Sequence, residues 1–155
     1  MPDLAELTEI QLAKEMAELT CNLSKTCQEK EKYFASLFNL TPAEFRCLRL
    51  FNKENVRSIK EIANELALTP GRITHILTSL EDKKLIERRV DPTDKRNVLV
   101  HITPQSRPFL NNIQENHVLI HQEILDKIDE ENREVIIFAL RETLKALKTW
   151  KEDKI

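Results

Sequence analysis

Residues 58–80 have the sequence SIKEIANELALTPGRITHILTSL, which contains two short helical patterns with a brief connection between them. Apolar residues recur at steps of three and four in both halves, at Ile59, Ile62, Ala63 and Leu66 and then at Ile73, Ile76, Leu77 and Leu80. Ser58 and Glu61 form a capping-box signature for the first helix. Thr69 followed by Pro70 suits the start of the second helix. This arrangement predicts a helix-turn-helix.

The segment that follows predicts a two-stranded β-hairpin. Its turn, DPTDKR, occupies residues 91–96, and apolar residues alternate after it at Val98, Val100 and Ile102. Aspartate and proline at the start of the turn favour a tight reversal of the chain. This hairpin is the only β-structure that the sequence predicts.

Long amphipathic helices flank this central part. Apolar residues follow each other at helical steps from Leu12 to Leu37, and a capping signature at Thr41 begins a short helix. After the hairpin, Thr103 and Asp129 begin two further helices with apolar stripes. The predicted fold is therefore mainly α, a winged helix-turn-helix with a two-stranded β wing between long N- and C-terminal dimerisation helices.

The predicted domains are an N-terminal dimerisation helix in residues 1–40, a winged helix-turn-helix in residues 41–103 and C-terminal dimerisation helices in residues 104–155. The first segment lacks the basic head and apolar core of a signal peptide, and no apolar run approaches the length of a membrane span. We therefore expect a cytoplasmic protein without a membrane partner, whose three cysteines are reduced.

Composition also limits the chemistry. Gly71 is the single glycine, which excludes glycine-rich phosphate-binding loops. No set of nucleophile and base has a supporting spacing, so an enzyme and a bound cofactor are not expected. The net charge is −2, yet residues 41–103 carry 12 basic and nine acidic side chains and the two flanking parts carry more acid than base. This basic centre favours a nucleic-acid partner.

The second helix of the helix-turn-helix is the predicted recognition helix. With its apolar stripe turned inward, its other face is short, cationic and rich in hydrogen-bonding groups, in contrast to the mixed charges of an ordinary surface helix. The predicted DNA-binding residues on this helix are Thr69, Gly71, Arg72, Thr74, His75 and Thr78, with Ser79 on the same face. Gly71 would let a phosphate approach the first turn.

The hairpin turn is the second predicted DNA contact. Lys95 and Arg96 lie at its tip, and Asp94 can pair with Arg96 or with Arg89 and so direct an arginine outward. The narrow minor groove attracts arginine because of its negative potential. We predict that Arg89, Asp94, Lys95 and Arg96 form the DNA-binding wing.

These motifs resemble the winged core of the MarR family, the multiple-antibiotic-resistance-type regulators. The resemblance rests on LTPAEFRCLRLF before the core, EIANEL in its first helix, LEDKKLIER before the wing and the D-x-x-D-x-R pattern at Asp91, Asp94 and Arg96. It covers essentially the whole chain. Two positions where the family often has glycine hold Lys84 and Ser106.

The resemblance implies a homodimer that binds double-stranded DNA at a pseudo-palindromic operator. It implies a repressor released by a small-molecule effector or by cysteine oxidation. The stripes of the flanking helices are also too long for a small lobe to bury, which favours a second copy. A helical protein–protein adaptor that does not bind DNA is the alternative; acidic or apolar residues on the recognition helix would favour it.

Three sets of residues are candidate sensors of the signal. Tyr33, Phe34, Phe38 and Phe45 could line an effector pocket or be an ordinary core cluster. Cys21 is the candidate redox residue, with buried and inert thiols expected at Cys27 and Cys47. His117 and His121 have the spacing of two metal ligands on a helix, but no further ligands are evident, so no metal is assigned.

Overall fold

The computed structural model describes residues 8–154. The first helix, α1, spans Glu9–Leu37 and begins at a capping box. In that box Gln11 N donates to Thr8 Oγ1 at 3.3 Å and Thr8 N donates to Gln11 Oε1 at 2.8 Å. Residues 1–7, for which the sequence predicts no signal peptide, lie outside the described residues.

Three shorter helices follow: α2 (Pro42–Arg49), α3 (Ile59–Leu66) and α4 (Pro70–Asp82). Helices α3 and α4 are the predicted helix-turn-helix, which is confirmed. The chain turns between them at Ala67, whose φ of 50° is in the left-handed region. That conformation ends α3 and lets α4 start three residues later.

Both predicted capping boxes in this part of the chain are formed. Thr41 and Glu44 exchange hydrogen bonds at the start of α2, with distances of 2.8 and 3.2 Å. Ser58 and Glu61 do the same at the start of α3, also at 2.8 and 3.2 Å. These boxes satisfy backbone N–H groups that have no partner within the helix, and they fix where each helix begins.

The sheet has three strands, where the sequence predicted two. Strands β2 (Ile86–Val90) and β3 (Val98–Ile102) form the predicted antiparallel hairpin, and β1 (Val56–Ser58) pairs with the other edge of β3. The prediction that the hairpin is the only β-structure is therefore wrong. A strand of three residues is too short to show a period-two pattern, and it forms because β3 offers a free edge.

Lys84 and Ser106 occupy the two positions where glycine was expected. Lys84 has a φ of 63°, a conformation that favours glycine and costs other residues about 1–2 kcal/mol. Two hydroxyl groups hold the carbonyls of this turn: Thr103 Oγ1 donates to Lys84 O at 3.0 Å and Ser106 Oγ donates to Leu85 O at 2.8 Å. The turn before β2 therefore forms with lysine, and not glycine, in the left-handed conformation.

The core lies among α1, α2, α3, α4 and the sheet. Its fully buried large side chains include Phe34, Phe45, Phe51, Leu48, Ile62, Ile73, Leu77, Leu80, Ile86 and Val100. They come from every helix and from two strands of this part of the chain. We call residues 40–106 the winged lobe.

The chain ends in two long helices. After a 3₁₀ turn at Pro104–Ser106, α5 spans Arg107–Leu125 and α6 spans Glu130–Glu152. The helix predicted to begin at Thr103 therefore starts with a 3₁₀ turn. Internal packing divides the chain into one unit that ends at Ile113 and a second that starts at Gln114. No helix in the described range has the length and apolar character needed to cross a membrane.

Candidate nucleic-acid interface

The exposed face of α4 carries the predicted recognition residues. Burial alternates along the helix, because Ile73, Leu77 and Leu80 are buried while the predicted DNA-binding side chains are exposed. The exposed residues are Thr69, Gly71, Arg72, Thr74, His75 and Thr78. Thr74 Oγ1 donates to Pro70 O at 3.0 Å, which leaves its lone pairs for an outside donor.

Gly71 has open space around it. A Cβ built at this position meets nothing within 4 Å, so packing within the chain does not require glycine here. Its place in the first turn of α4 leaves the helix N-terminus accessible to a group from outside. Pro70, the first residue of α4, has no backbone N–H, but the other orphan N–H groups of a helix N-terminus are donors suited to a phosphate.

Ser79 does not belong to this exposed face, contrary to the sequence interpretation. It is half-buried, and its hydroxyl donates to Glu44 Oε1 at 2.5 Å. Lys83, one turn later, donates from Nζ to Glu44 Oε2 at 2.7 Å and to Asn39 O at 2.7 Å. These bonds tie the end of α4 to the start of α2 and to the turn after α1.

Glu44 is the acid at the centre of this contact, and its side chain is 3% exposed. Burial raises the pKa of Glu44, but hydrogen bonds from Lys83, Ser79 and Thr41 together outweigh burial and hold the pKa below its usual value. The carboxylate therefore stays charged in the core. From sequence, Glu44 was recognised only as part of a capping box.

The wing tip is held in shape by its own side chains. Asp91 Oδ1 accepts from the hydroxyl and from the backbone N–H of Thr93 at 2.7 and 2.8 Å, and Asp94 Oδ1 accepts from the N–H of Arg96 at 3.1 Å. The Arg96 guanidinium donates to the same Asp94 carboxylate at 3.1 and 3.3 Å. These hydrogen bonds lower the pKa of both aspartates. Arg96 nevertheless stays 89% exposed, so it is presented to solvent in a fixed direction.

The two arginines of β2 point to opposite faces of the sheet, as neighbouring strand residues must. Arg89 pairs with Glu87 on one face at 2.7 Å. Arg88, on the other face, donates to Glu81 on α4 at 2.9 and 2.5 Å. Of the two partners that the sequence offered for Asp94, the structure selects Arg96 and not Arg89.

The cations of the wing are therefore largely neutralised within the chain. Arg88, Arg89 and Arg96 each pair with a carboxylate, and Lys95 is exposed at the tip. Sequence reasoning assigned no role to Arg88 or Glu81, because the partners of a surface ion pair between a helix and a strand are not visible in a local pattern.

Three of the four candidate effector residues form a core cluster. The ring of Phe34 lies 5.1 Å from the rings of both Phe38 and Phe45, centroid to centroid, and Phe38 lies 5.9 Å from Phe109. Tyr33 is 62% exposed and does not join them. The structure thus brings together Phe34, Phe38 and Phe45 as packed aromatic rings.

The three cysteines differ in environment. Cys21 and Cys27 are exposed on α1, whereas Cys47 is buried. The expectation that Cys27 is buried is wrong, since its side chain is exposed within the described residues. Burial, together with the charge of Glu44, raises the pKa of Cys47 to about 12, which makes its thiol inert.

His117 and His121 lie together on α5, with ring centroids 4.5 Å apart. His121 Nδ1 is 2.7 Å from the carbonyl oxygen of His117. The structure over residues 8–154 contains no group of three or more histidine, cysteine, aspartate or glutamate side chains that could hold a metal ion.

Taken together, the helix-turn-helix, the hairpin and the polar surface they share define a winged helix protein. The model of the MarR family matches residues 40–98. The HTH-type transcriptional regulator MhqR of Bacillus subtilis (strain 168) is 31% identical over 96 residues, which are 62% of this chain and 66%, just under two thirds, of MhqR. The matched part of the chain, residues 40–98, has the sequence pattern of the MarR family.

Solved structures have the same fold over most of the chain. The crystal structure of the transcriptional regulator BldR from Sulfolobus solfataricus is similar with a TM-score of 0.70 and 25% identity, and the similarity covers 90% of this chain and 99% of BldR. The crystal structure of a complex of MepR from Staphylococcus aureus with DNA has a TM-score of 0.67 and 23% identity, over 85% of this chain and 97% of MepR.

Proposed function

We infer that this protein is a sequence-specific DNA-binding transcriptional regulator that acts as a homodimer. The observation that carries the inference is the shared surface of the winged lobe. Helix α4 turns a polar, cationic face to solvent, and beside it the wing presents Arg96 with 89% of its side chain exposed. MepR, which has this fold, has been crystallised on DNA, and MhqR is named as a transcriptional regulator.

DNA geometry fits these two elements. The major groove is about 12 Å wide and admits an α-helix, so α4 can place Arg72, Thr74 and His75 against base edges. The wing then lies where the neighbouring minor groove attracts an arginine. Exposed backbone N–H groups at the start of α4, beside Gly71, can bind a phosphate and set the register of the helix.

The long helices support a homodimer. Along α6, all the large apolar side chains except Ile136 are 41–64% exposed, and in the described chain none of the residues of this helix is buried. The N-terminal half of α1 exposes a similar stripe at Leu12, Met16, Leu19 and Leu23. Exposed apolar surface of this extent indicates an interface. A second copy covers it, and two winged lobes then meet the two half-sites of a pseudo-palindromic operator.

We further propose that a signal relieves repression. The candidates are a small molecule bound beside the ring cluster of Phe34, Phe38 and Phe45, and oxidation at the exposed Cys21. The proposed function is binding, and none of its steps needs a catalytic group. A regulator of this kind acts in the cytoplasm, where it meets its operator.

The test is the selection of binding sites from a random duplex DNA pool with the purified protein at a stated salt concentration. An enriched inverted repeat with half-sites about one helical turn apart is expected. The Arg72→Ala/Thr74→Ala variant should lose the enrichment, whereas Arg141→Ala, an exposed site on α6, should retain it. No enrichment, with only weak salt-sensitive binding, contradicts the proposal and favours a protein–protein adaptor.

A further inference from the structure

One ion pair joins the wing to the recognition helix. Arg88 lies on β2 and Glu81 lies in the last turn of α4. The Arg88 guanidinium donates from Nε and Nη2 to Glu81 Oε2 at 2.9 and 2.5 Å. The backbone N–H of Arg88 also donates to Glu81 Oε1 at 2.9 Å. The Glu81 carboxylate therefore binds both the main chain and the side chain of Arg88.

The environment favours a persistent contact. The side chains of Arg88 and Glu81 are 27% and 29% exposed, less than those of the other β2 pair, Arg89 and Glu87, at 60% and 46%. Hydrogen bonds from the Arg88 side chain, more than any other cause, lower the pKa of Glu81. Three hydrogen bonds between the Glu81 carboxylate and Arg88 fix both the distance and the orientation of β2 relative to the end of α4. A single exposed ion pair would not fix both.

The same guanidinium reaches the recognition face. Arg88 Nη2 donates to Thr78 Oγ1 at 3.2 Å. A threonine hydroxyl has one hydrogen and two acceptor sites, so this bond occupies an acceptor site and leaves the hydrogen to be donated. Thr78 is thereby prepared to donate to an acceptor in DNA, such as a phosphate oxygen or an acceptor atom at a base edge.

We propose that Glu81 and Arg88 are positioning residues that fix the wing relative to α4, so that the helix and the wing tip reach their two grooves together. Arg88 then acts through Glu81 and Thr78 and does not itself bind a phosphate. This inference rests on the proposed function, since it assigns roles within the same DNA-binding surface.

The proposal and simple electrostatics predict opposite changes in operator affinity when the carboxylate of Glu81 is removed. Removing a carboxylate from a surface that approaches DNA should raise affinity for every sequence, because it removes repulsion from phosphates. Glu81→Ala should instead lower affinity for the selected operator by about tenfold, the size expected when one groove contact is lost. Its affinity for a random duplex should stay within about twofold of wild type, or rise.

Matched variants separate positioning from charge. Glu87→Ala removes one carboxylate from the same strand but from the face opposite to α4, and its operator affinity should be unchanged or higher. Glu81→Gln retains an acceptor for the backbone N–H of Arg88 and should recover part of the affinity that Glu81→Ala loses. Arg88→Ala should act like Glu81→Ala, because both break the same contact.

The experiment measures the affinity of each variant for the selected operator and for a random duplex at one salt concentration. Loss of operator affinity in Glu81→Ala, with random-duplex affinity maintained, supports the proposal. Wild-type or higher operator affinity in Glu81→Ala overturns it and leaves the regulator function intact. An equal loss on both DNAs in Arg88→Ala but not in Glu81→Ala shows that Arg88 binds phosphate, and also overturns it. A wild-type protein with no operator preference overturns the proposed function and this inference together.

Discussion

The winged lobe and helix α6 differ in the solvent exposure of their large apolar side chains. In the lobe, large residues such as Phe45, Phe51, Leu77 and Ile86 are at most 2% exposed. In α6, large apolar side chains such as Phe138 and Leu144 are 64% and 54% exposed, although the helix has a comparable proportion of apolar residues. One chain is thus sufficient to complete the packing of the lobe and insufficient for α6.

This difference separates two kinds of surface. The outside of the lobe is polar on α4, and the wing tip exposes Lys95 and Arg96, as a DNA-binding surface requires. The outside of α6 exposes large apolar side chains such as Phe138, Leu140 and Leu144 among its charged residues, as a protein interface does. This contrast supports the proposal that the lobe contacts DNA and that the long helices contact a second copy.

The largest contrast should appear in thiol reactivity. Cys47 lies in the lobe with a pKa raised to about 12, whereas Cys27 is exposed on α1. The Cys21→Ser/Cys27→Ser variant should react with an aromatic disulfide at pH 7.5 far more slowly than the Cys21→Ser/Cys47→Ser variant, because burial disfavours the reacting thiolate of Cys47 and shields it from the reagent. Equal reaction rates of the two variants without denaturant would mean that the reagent reaches Cys47 in the folded lobe, which contradicts a buried thiol. Guanidinium chloride should make the rates equal.

A charge on α6 should break the dimer. Leu144→Glu places a carboxylate in the apolar stripe and should raise the dimer dissociation constant about 100-fold, since the charge must be desolvated at the interface. Analytical ultracentrifugation measures this change. Ala146→Glu is the matched control: it adds the same charge two residues later, on the other side of the helix. Dissociation by both variants or by neither would contradict an interface on the Leu144 side.

The buried acid of the lobe should make its stability depend on pH. Hydrogen bonds to the carboxylate keep the pKa of Glu44 below its usual value, so Glu44 stabilises the fold above about pH 4.3, and this stabilisation is lost as the pH falls through the folded pKa. Glu44→Gln should lower the free energy of unfolding at pH 7 by about 2 kcal/mol, because Lys83 and Ser79 lose a charged acceptor.

Urea unfolding at several pH values measures this effect. Between pH 6 and pH 3.5 the wild-type protein should lose more stability than Glu44→Gln, whereas Glu142→Gln, an exposed site on α6, should follow the wild type. A Glu44→Gln variant with wild-type stability at pH 7 and the same dependence on pH would show that the contact contributes nothing to folding.

The wing should give the smallest effect. Arg96→Ala should weaken operator binding by about 1–2 kcal/mol and reduce the slope of log affinity against log salt by about one. A fluorescence anisotropy titration at three salt concentrations measures both quantities. Arg141→Ala removes an exposed arginine from α6 and should change neither. Unchanged binding by Arg96→Ala would remove the wing tip from the DNA-binding surface.

The parts of the fold that sequence predicted well depend on local interactions. The capping boxes at Thr41 and Ser58 involve residues three apart, and their hydrogen bonds form as the pattern indicates. The short strand β1 was missed, because three residues have no readable period and its pairing with β3 spans more than 40 residues of chain.

In the candidate site, too, features set by local sequence were predicted and contacts between distant residues were not. Exposure of Arg72, Thr74 and His75 followed from the helical period of α4. The placement of Ser79 against Glu44, 35 residues away, did not, because it depends on how α2 packs on α4. The contact of Arg88 with Glu81 likewise required the twist and register of the sheet.

The most direct test of the central claim, that two lobes of a dimer bind two half-sites, is the dependence of affinity on half-site spacing. The selected operator is compared with versions in which about 5 base pairs, half a helical turn, are inserted between the half-sites. We predict that the insertion lowers affinity at least about tenfold, because it rotates one half-site away from its lobe. An affinity that does not change with the insertion would contradict the account.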